Sequence, residues 1–178
     1  AVTKLSSVRN GNEQTLVIGK REGAYKDMPL VRPFKVKVLS SLIPQSVTVN
    51  GHPAKYQYSG EDFALLIDVP AQACDQEKVV KIVYPSEKVD LNGLLGASRR
   101  IAKSMEQLKY RNSYIVFKEE FGKMGSLSEA VTYAPSEMPA LIADFWKSYN
   151  ELPAVLERQG MKSDLATWFL QSVCWSKR

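Results

Sequence analysis

The chain is short of the residues that most enzymes use for chemistry. It has one histidine, His52, and two cysteines, Cys74 and Cys174. A Ser-His-Asp or Cys-His system would have to use His52. That residue follows the turn pair Asn50-Gly51, where a solvated loop histidine is expected, and nothing in the sequence places a nucleophile beside it. The cysteines have no C-x-x-C spacing and no histidine pair nearby, so no metal site is expected. Two unpaired thiols are the simpler expectation, with a disulfide between the two halves as the alternative. No G-x-x-x-x-G-K-S/T loop and no G-x-G-x-x-G run occurs, so no nucleotide and no cofactor is expected. No apolar run approaches the roughly 20 residues of a spanning helix. The chain starts at Ala1 with neither an initiator Met nor a signal peptide, which suggests a processed or excised piece.

A focused charge is missing too. The net charge is +5, from 24 Lys and Arg against 19 Asp and Glu. The basic excess is spread thinly over both halves, and a dedicated nucleic-acid binder usually gathers it into one patch. Nucleic-acid binding is therefore not expected. The run Lys109 to Tyr114 interleaves bases and aromatics. A polar helix end explains it better than a stacking surface for RNA.

What is present is a change of period. The first half reads as strands. Val2 to Val8, Thr15 to Ile18, Phe34 to Val38, Phe63 to Val69 and Val79 to Tyr84 are short β-branched or alternating runs. In the third strand Phe34, Val36 and Val38 would point inward and Lys35 and Lys37 to water. Val47 to Val49, Asn50-Gly51 and Ala54 to Tyr58 predict a hairpin, because Asn-Gly takes the positive φ angles of a tight turn. About seven short strands with turn residues between them predict an antiparallel β-sandwich over 1–85. From Leu91 the period becomes helical. Leu94, Ile101, Met105 and Leu108 share one face, with Asn92 as the expected N-cap. Further helices are expected over 126–133, with Ser126 and Glu129 as a capping box, from Ser136 onward, and over 163–174. Pro153 should end or kink the helix that begins at Ser136. The fold class expected is α+β: a β-sandwich over 1–85, then a helical domain over 91–178.

Glu61-Asp62 and Glu119-Glu120 are the adjacent acidic pairs. Neighbours in sequence point apart on a strand or helix, so neither pair suits the two-carboxylate chemistry of a glycosidase. Both read as solvated charge. Trp146 and Trp168 lie on expected inward helix faces and read as core. Trp175, near the chain end, is less constrained and is a candidate platform for a sugar ring.

The segment Ile18-Gly19-Lys20-Arg21-Glu22-Gly23-Ala24-Tyr25-Lys26-Asp27-Met28 is a β-like run entering a charged loop with two glycines. It resembles the pattern I-G-x-R-x-G-x-(F/Y)-x-x-M of a β-domain found behind the catalytic barrel of bacterial glycoside hydrolase family 31 enzymes. The strand Phe34 to Leu39 and the Val47 to Gly51 turn follow the same layout, so the resemblance covers about residues 12–84. It implies a non-catalytic C-terminal β-sandwich of an α-glucosidase- or α-xylosidase-like parent, with a structural or assembly role. It implies the parent's catalytic barrel as partner and a periplasmic or extracellular location. Those enzymes work with two aspartates on the barrel. No part of this chain resembles the barrel, so no catalytic residue carries over. The helical half departs from the family's usual ending. The alternative is a carbohydrate-binding module, with Arg21, Tyr25 and Trp175 touching an oligosaccharide. For the loop itself the structural reading is preferred, with the glycines shaping the backbone and Tyr25 and Met28 covering a sheet edge.

Overall fold

The computed structural model describes residues 1–86, 88–112 and 114–177. The chain is α+β: two open antiparallel sheets, then helices. It divides into two compact units, Ala1–Ser59 with Phe63–Glu87, and Gly60–Asp62 with Lys88–Arg178.

In the first unit, β1 (Val2–Asn10) and β2 (Glu13–Glu22) form a hairpin. They join β8 (Lys78–Val83), β4 (Ser46–Val49) and β5 (His52–Pro53) in a five-stranded sheet of order β1-β2-β8-β4-β5. The second sheet holds β3 (Val31–Val38), β7 (Ala64–Ala73) and β6 (Tyr56–Ser59), in the order β3-β7-β6. Period-2 alternation supplies the core. Ile18, Val47, Val49, Val80 and Ile82 come from the larger sheet, and Leu65, Ile67 and Val69 from the smaller; all are buried. Their partners Phe34, Val36 and Val38 pair with Val69, Ile67 and Leu65 but stay half-buried, because β3 is an edge strand.

The hairpin at Asn50-Gly51 forms, with both residues at positive φ, 51° and 81°. Its second arm is shorter than the sequence predicts. Only His52 and Pro53 pair with β4. Ala54 still donates its N–H to the Val47 carbonyl at 3.0 Å. The chain then leaves, and Tyr56–Ser59 pairs with β7 in the other sheet. This splits one expected strand into two and raises the described total to eight.

The second unit is helical. Its elements are α1 (Leu94–Arg111), α2 (Glu119–Gly125), α3 (Leu127–Tyr133), a 3₁₀ turn (Pro135–Glu137), α4 (Met138–Asn150), α5 (Leu152–Gln159) and α6 (Ser163–Ser172). The buried face of α1 is Leu94, Ala97, Ser98, Ile101, Ser104, Met105 and Leu108, the i, i+3, i+4, i+7 stripe the sequence shows. Phe121 is the hub of the bundle core, with ring centroids 5.4 Å from Phe117 and 5.2 Å from Phe169. The buried Ser104 hydroxyl accepts a hydrogen bond from Ser172, 2.9 Å away, tying α1 to α6.

Four local expectations change. The N-cap of α1 is Gly93, with φ 68°, while the Asn92 N–H is held by the Asp90 carboxylate. Ser126 stands at the N-cap of α3, but its hydroxyl donates back to the Gly122 carbonyl, because α2 runs directly into α3 and supplies an acceptor one turn earlier. Pro153 starts α5 instead of only ending α4, since a proline in the first turn has no N–H that needs an acceptor. Trp146 and Trp168 are half-buried, not core. The Trp146 indole N–H reaches the Asp90 carbonyl at 2.8 Å, and the Arg111 guanidinium lies 4.4 Å from the Trp168 ring centre.

Candidate functional site

The loop motif is built on a bulge. Thr3 pairs with Arg21 and Leu5 with Ile18, so β2 carries one more residue than β1 between those pairs. The surplus falls at Gly19 and Lys20. A Cβ on Gly19 would lie 3.1 Å from the Lys4 carbonyl oxygen, which is why glycine stands there. The bulge also switches the strand's parity. Unbroken alternation from buried Ile18 would turn Lys20 and Glu22 inward and Arg21 outward. In the folded chain Arg21 is half-buried and Lys20 and Glu22 are exposed. Beyond the strand, Gly23 takes φ 84°. The loop is then tied back twice. The Arg21 backbone N–H donates to the Cys74 carbonyl at 2.8 Å, and its guanidinium to the Pro29 carbonyl at 2.5 Å.

Arg21 now lines a pocket of about 210 Å³ together with Tyr25, Arg32, Phe34, Cys74 and Lys78. Lys78 faces Ile18 across the β2–β8 ladder, on the inner face that also holds Val80 and Ile82. It is 1% exposed. Its ammonium donates to the carbonyls of Ala73 and Gln76, both at 2.6 Å, which are the chain's approach to β8. Arg32 enters from β3, where a register shift between Arg32 and Phe34 accompanies Pro70 on the partner strand. The Phe34 ring has the Arg32 guanidinium 5.7 Å and the Lys78 ammonium 5.8 Å from its centre. Tyr25 stands at the rim, 58% exposed. The pocket therefore offers forked guanidinium donors, an ammonium and two aromatic faces in one small space.

Of the three residues singled out from sequence, Arg21 and Tyr25 are brought together here. Trp175 belongs to the helical unit, half-buried, with its indole N–H donating to the Tyr149 carbonyl at 2.7 Å. Arg32, Phe34 and Lys78 complete the pocket, and sequence reading did not single them out as site residues. A signal for Lys78 existed: it continues the inward parity of Val80, Ile82 and Tyr84. No such signal marks Arg32, which reaches the pocket through pairing distant in sequence.

A larger open groove, about 610 Å³, runs along the same unit past Pro33, Val49, His52, Pro53, Val69 and Pro70. It is mostly apolar, and its Lys35 and Asp68 face each other at 3.8 Å. His52 is exposed on it, in the hairpin arm. Volume favours the groove, but the polar donors gather in the smaller pocket, and chemistry decides the choice.

The other candidates resolve into structure. Glu120 accepts two bonds from the Arg158 guanidinium, 3.0 and 2.8 Å long, and Glu119 pairs with Lys123 at 2.6 Å. Cys74 is a buried free thiol and Cys174 an exposed one. Tyr110 and Tyr114 of the basic-aromatic run are exposed; Ser113 within it lies outside the described residues. Among the described residues no cluster of three His, Cys, Asp or Glu side chains could hold a metal, and no helix is long and apolar enough to cross a membrane. No family model, no curated protein and no solved structure matches this chain.

Proposed function

We propose that this chain is a non-catalytic accessory part of an α-glycoside hydrolase of the family 31 type. In this reading its two sheets form a sandwich that braces a neighbouring catalytic barrel. The observation that carries the proposal is β1. It is a nine-residue edge strand in which every residue is exposed, Val2, Leu5 and Val8 among them at 61%, 74% and 66%. Leu5 lies opposite buried Ile18, yet nothing in the unit covers it. A long, uncovered strand edge with apolar side chains invites pairing, and a protein manages it by covering it. The parent's barrel is the cover proposed. The way the motif closes on itself, through Gly19 and Arg21, agrees with a shape-keeping role for the loop.

A second reading, a carbohydrate-binding module, is favoured by one observation: Arg21 and Tyr25 share a pocket. Arginine donors and an aromatic face suit sugar hydroxyls and ring faces.

Two measurements decide. The isolated chain should leave a chromogenic α-glucoside intact; turnover that disappears when a single carboxylate is changed overturns the accessory reading. Titration with maltose- and xylose-type oligosaccharides should give no saturable binding if the role is bracing alone. Millimolar or tighter binding moves the conclusion to the second reading.

A further inference from the structure

Lys78 is the only charged side chain among the described residues that is fully buried. An ammonium withdrawn from water is costly unless its charge is matched. Its two carbonyl partners use two of three donors and carry no formal charge. The customary partner would be a carboxylate, and none lines this pocket. The walls add positive charge instead, from Arg21 and Arg32. Arg32 shares the Phe34 ring with Lys78, so the two cations face one small space. Three like charges around a partly enclosed cavity focus a positive field into it. Guanidinium groups present forked donors that match the two oxygens of a carboxylate or phosphate.

From this geometry we propose that the pocket binds the oxyanion of a small ligand, a carboxylate or phosphate group on a molecule of about monosaccharide size. The volume, about 210 Å³, holds several waters' worth of ligand at ~30 Å³ each. It is below the roughly 300 Å³ where drug-sized sites begin. The anion's oxygens meet Arg21, Arg32 and the remaining Lys78 donor, and the body of the ligand lies towards Tyr25 at the rim. The sugar body rests on the carbohydrate reading above; the anion site does not.

The test is calorimetric titration of the whole chain at low salt with glucuronate, glucose 6-phosphate and inorganic phosphate, and with glucose as the neutral control. At least one oxyanion should bind with a one-to-one stoichiometry and roughly ten-fold or more tightly than glucose, and added salt should weaken it as it screens the field. Arg32→Gln, at an exposed position that leaves the core intact, should weaken that binding by about ten-fold or more. Lys78→Met should abolish it. Uronate binding alone identifies a carboxylated sugar. Binding of both phosphates without uronate keeps the anion site and ends the carbohydrate reading. If no oxyanion binds better than glucose, or if binding is unchanged in both variants, the proposal fails.

Discussion

The two units differ in where one cation goes: both keep exposed ion pairs, Lys35 with Asp68 in the β-unit among them, but among the described residues only the β-unit turns a lysine inward. In the helical unit the cations stay in water and meet carboxylates there, Arg158 on Glu120 and Lys123 on Glu119. In the β-unit Lys78 is turned inward, and the groups beside it in the pocket are two further cations. Exposed pairs of the first kind contribute ~0–1 kcal/mol each. An inward cation without a counter-ion is a weak source of stability, since burial offsets much of what its carbonyl contacts return. The anion site proposed above would give that cation a use. The helical unit, by contrast, buries no charged side chain among its described residues.

Packing in that unit predicts the largest effect. Phe169 is fully buried against Phe121, and Phe169→Ala should cost about 3–5 kcal/mol. Denaturant unfolding followed by helical circular dichroism measures it. A loss under ~1 kcal/mol would mean that the bundle's order comes from elsewhere, and the contrast between the units would fall.

Lys78→Met comes next. It keeps length and apolar stem, strips the Ala73 and Gln76 carbonyls of their donor, and relieves the desolvated charge. The first effect costs about 1–3 kcal/mol and the second offsets part of it, so a net loss of ~1 kcal/mol is expected in ligand-free protein. A loss as large as that of Phe169→Ala would make Lys78 a structural keystone and reverse the comparison.

The bulge gives a third test. In Gly19→Ala the new methyl meets the Lys4 carbonyl at 3.1 Å, a backbone atom that must move. About 1 kcal/mol or more should be lost, as for other overpacked sites. Amide exchange in β1 should rise as its ladder with β2 loosens. Val8→Thr on the same uncovered strand should stay within ~0.5 kcal/mol. Equal effects would show that the bulge is not needed to seat β1.

These residues also show how far sequence carries. The order of strands before helices, the inward face of β3 and the α1 stripe are all local periodicities, and they appear in the fold. Parity fails where an extra residue enters β2. Nothing short of the pairing partner reveals that Arg21 changes sides. Pro153 is legible as an interruption, but whether it ends one helix or begins the next depends on where the following residues pack. Helix α2 stayed hidden because it is a single short element with Gly122 and Gly125 inside it, held by Phe121 and Met124. Two members of the pocket were legible from the loop motif; Arg32 and Phe34 follow it closely but are placed by the pairing of β3 with β7, and Lys78 comes from β8, far from the motif in the chain.

The smallest effect tests the other side of the comparison, the paired cations in water. The hydrogen bond from Arg158 holds the Glu120 carboxyl below its ordinary value of 4.5. A carboxylate with a lowered folded value stabilises the fold above its unfolded value and loses that contribution as pH falls through the folded one. The stabilisation is thus complete at neutral pH and fades below about pH 4.5. Both side chains are nearly half exposed, so solvent screening limits it to under ~1 kcal/mol. Wild type and Glu120→Gln should differ by about 0.5 kcal/mol at neutral pH, and the curves should converge in acid and in high salt. In the β-unit the corresponding variant, Lys78→Met, carries no surface pair to screen, so its effect on unfolding should survive the same salt. If salt erased both differences alike, the inward lysine would be behaving as a surface charge, and the distinction between the two units would not stand.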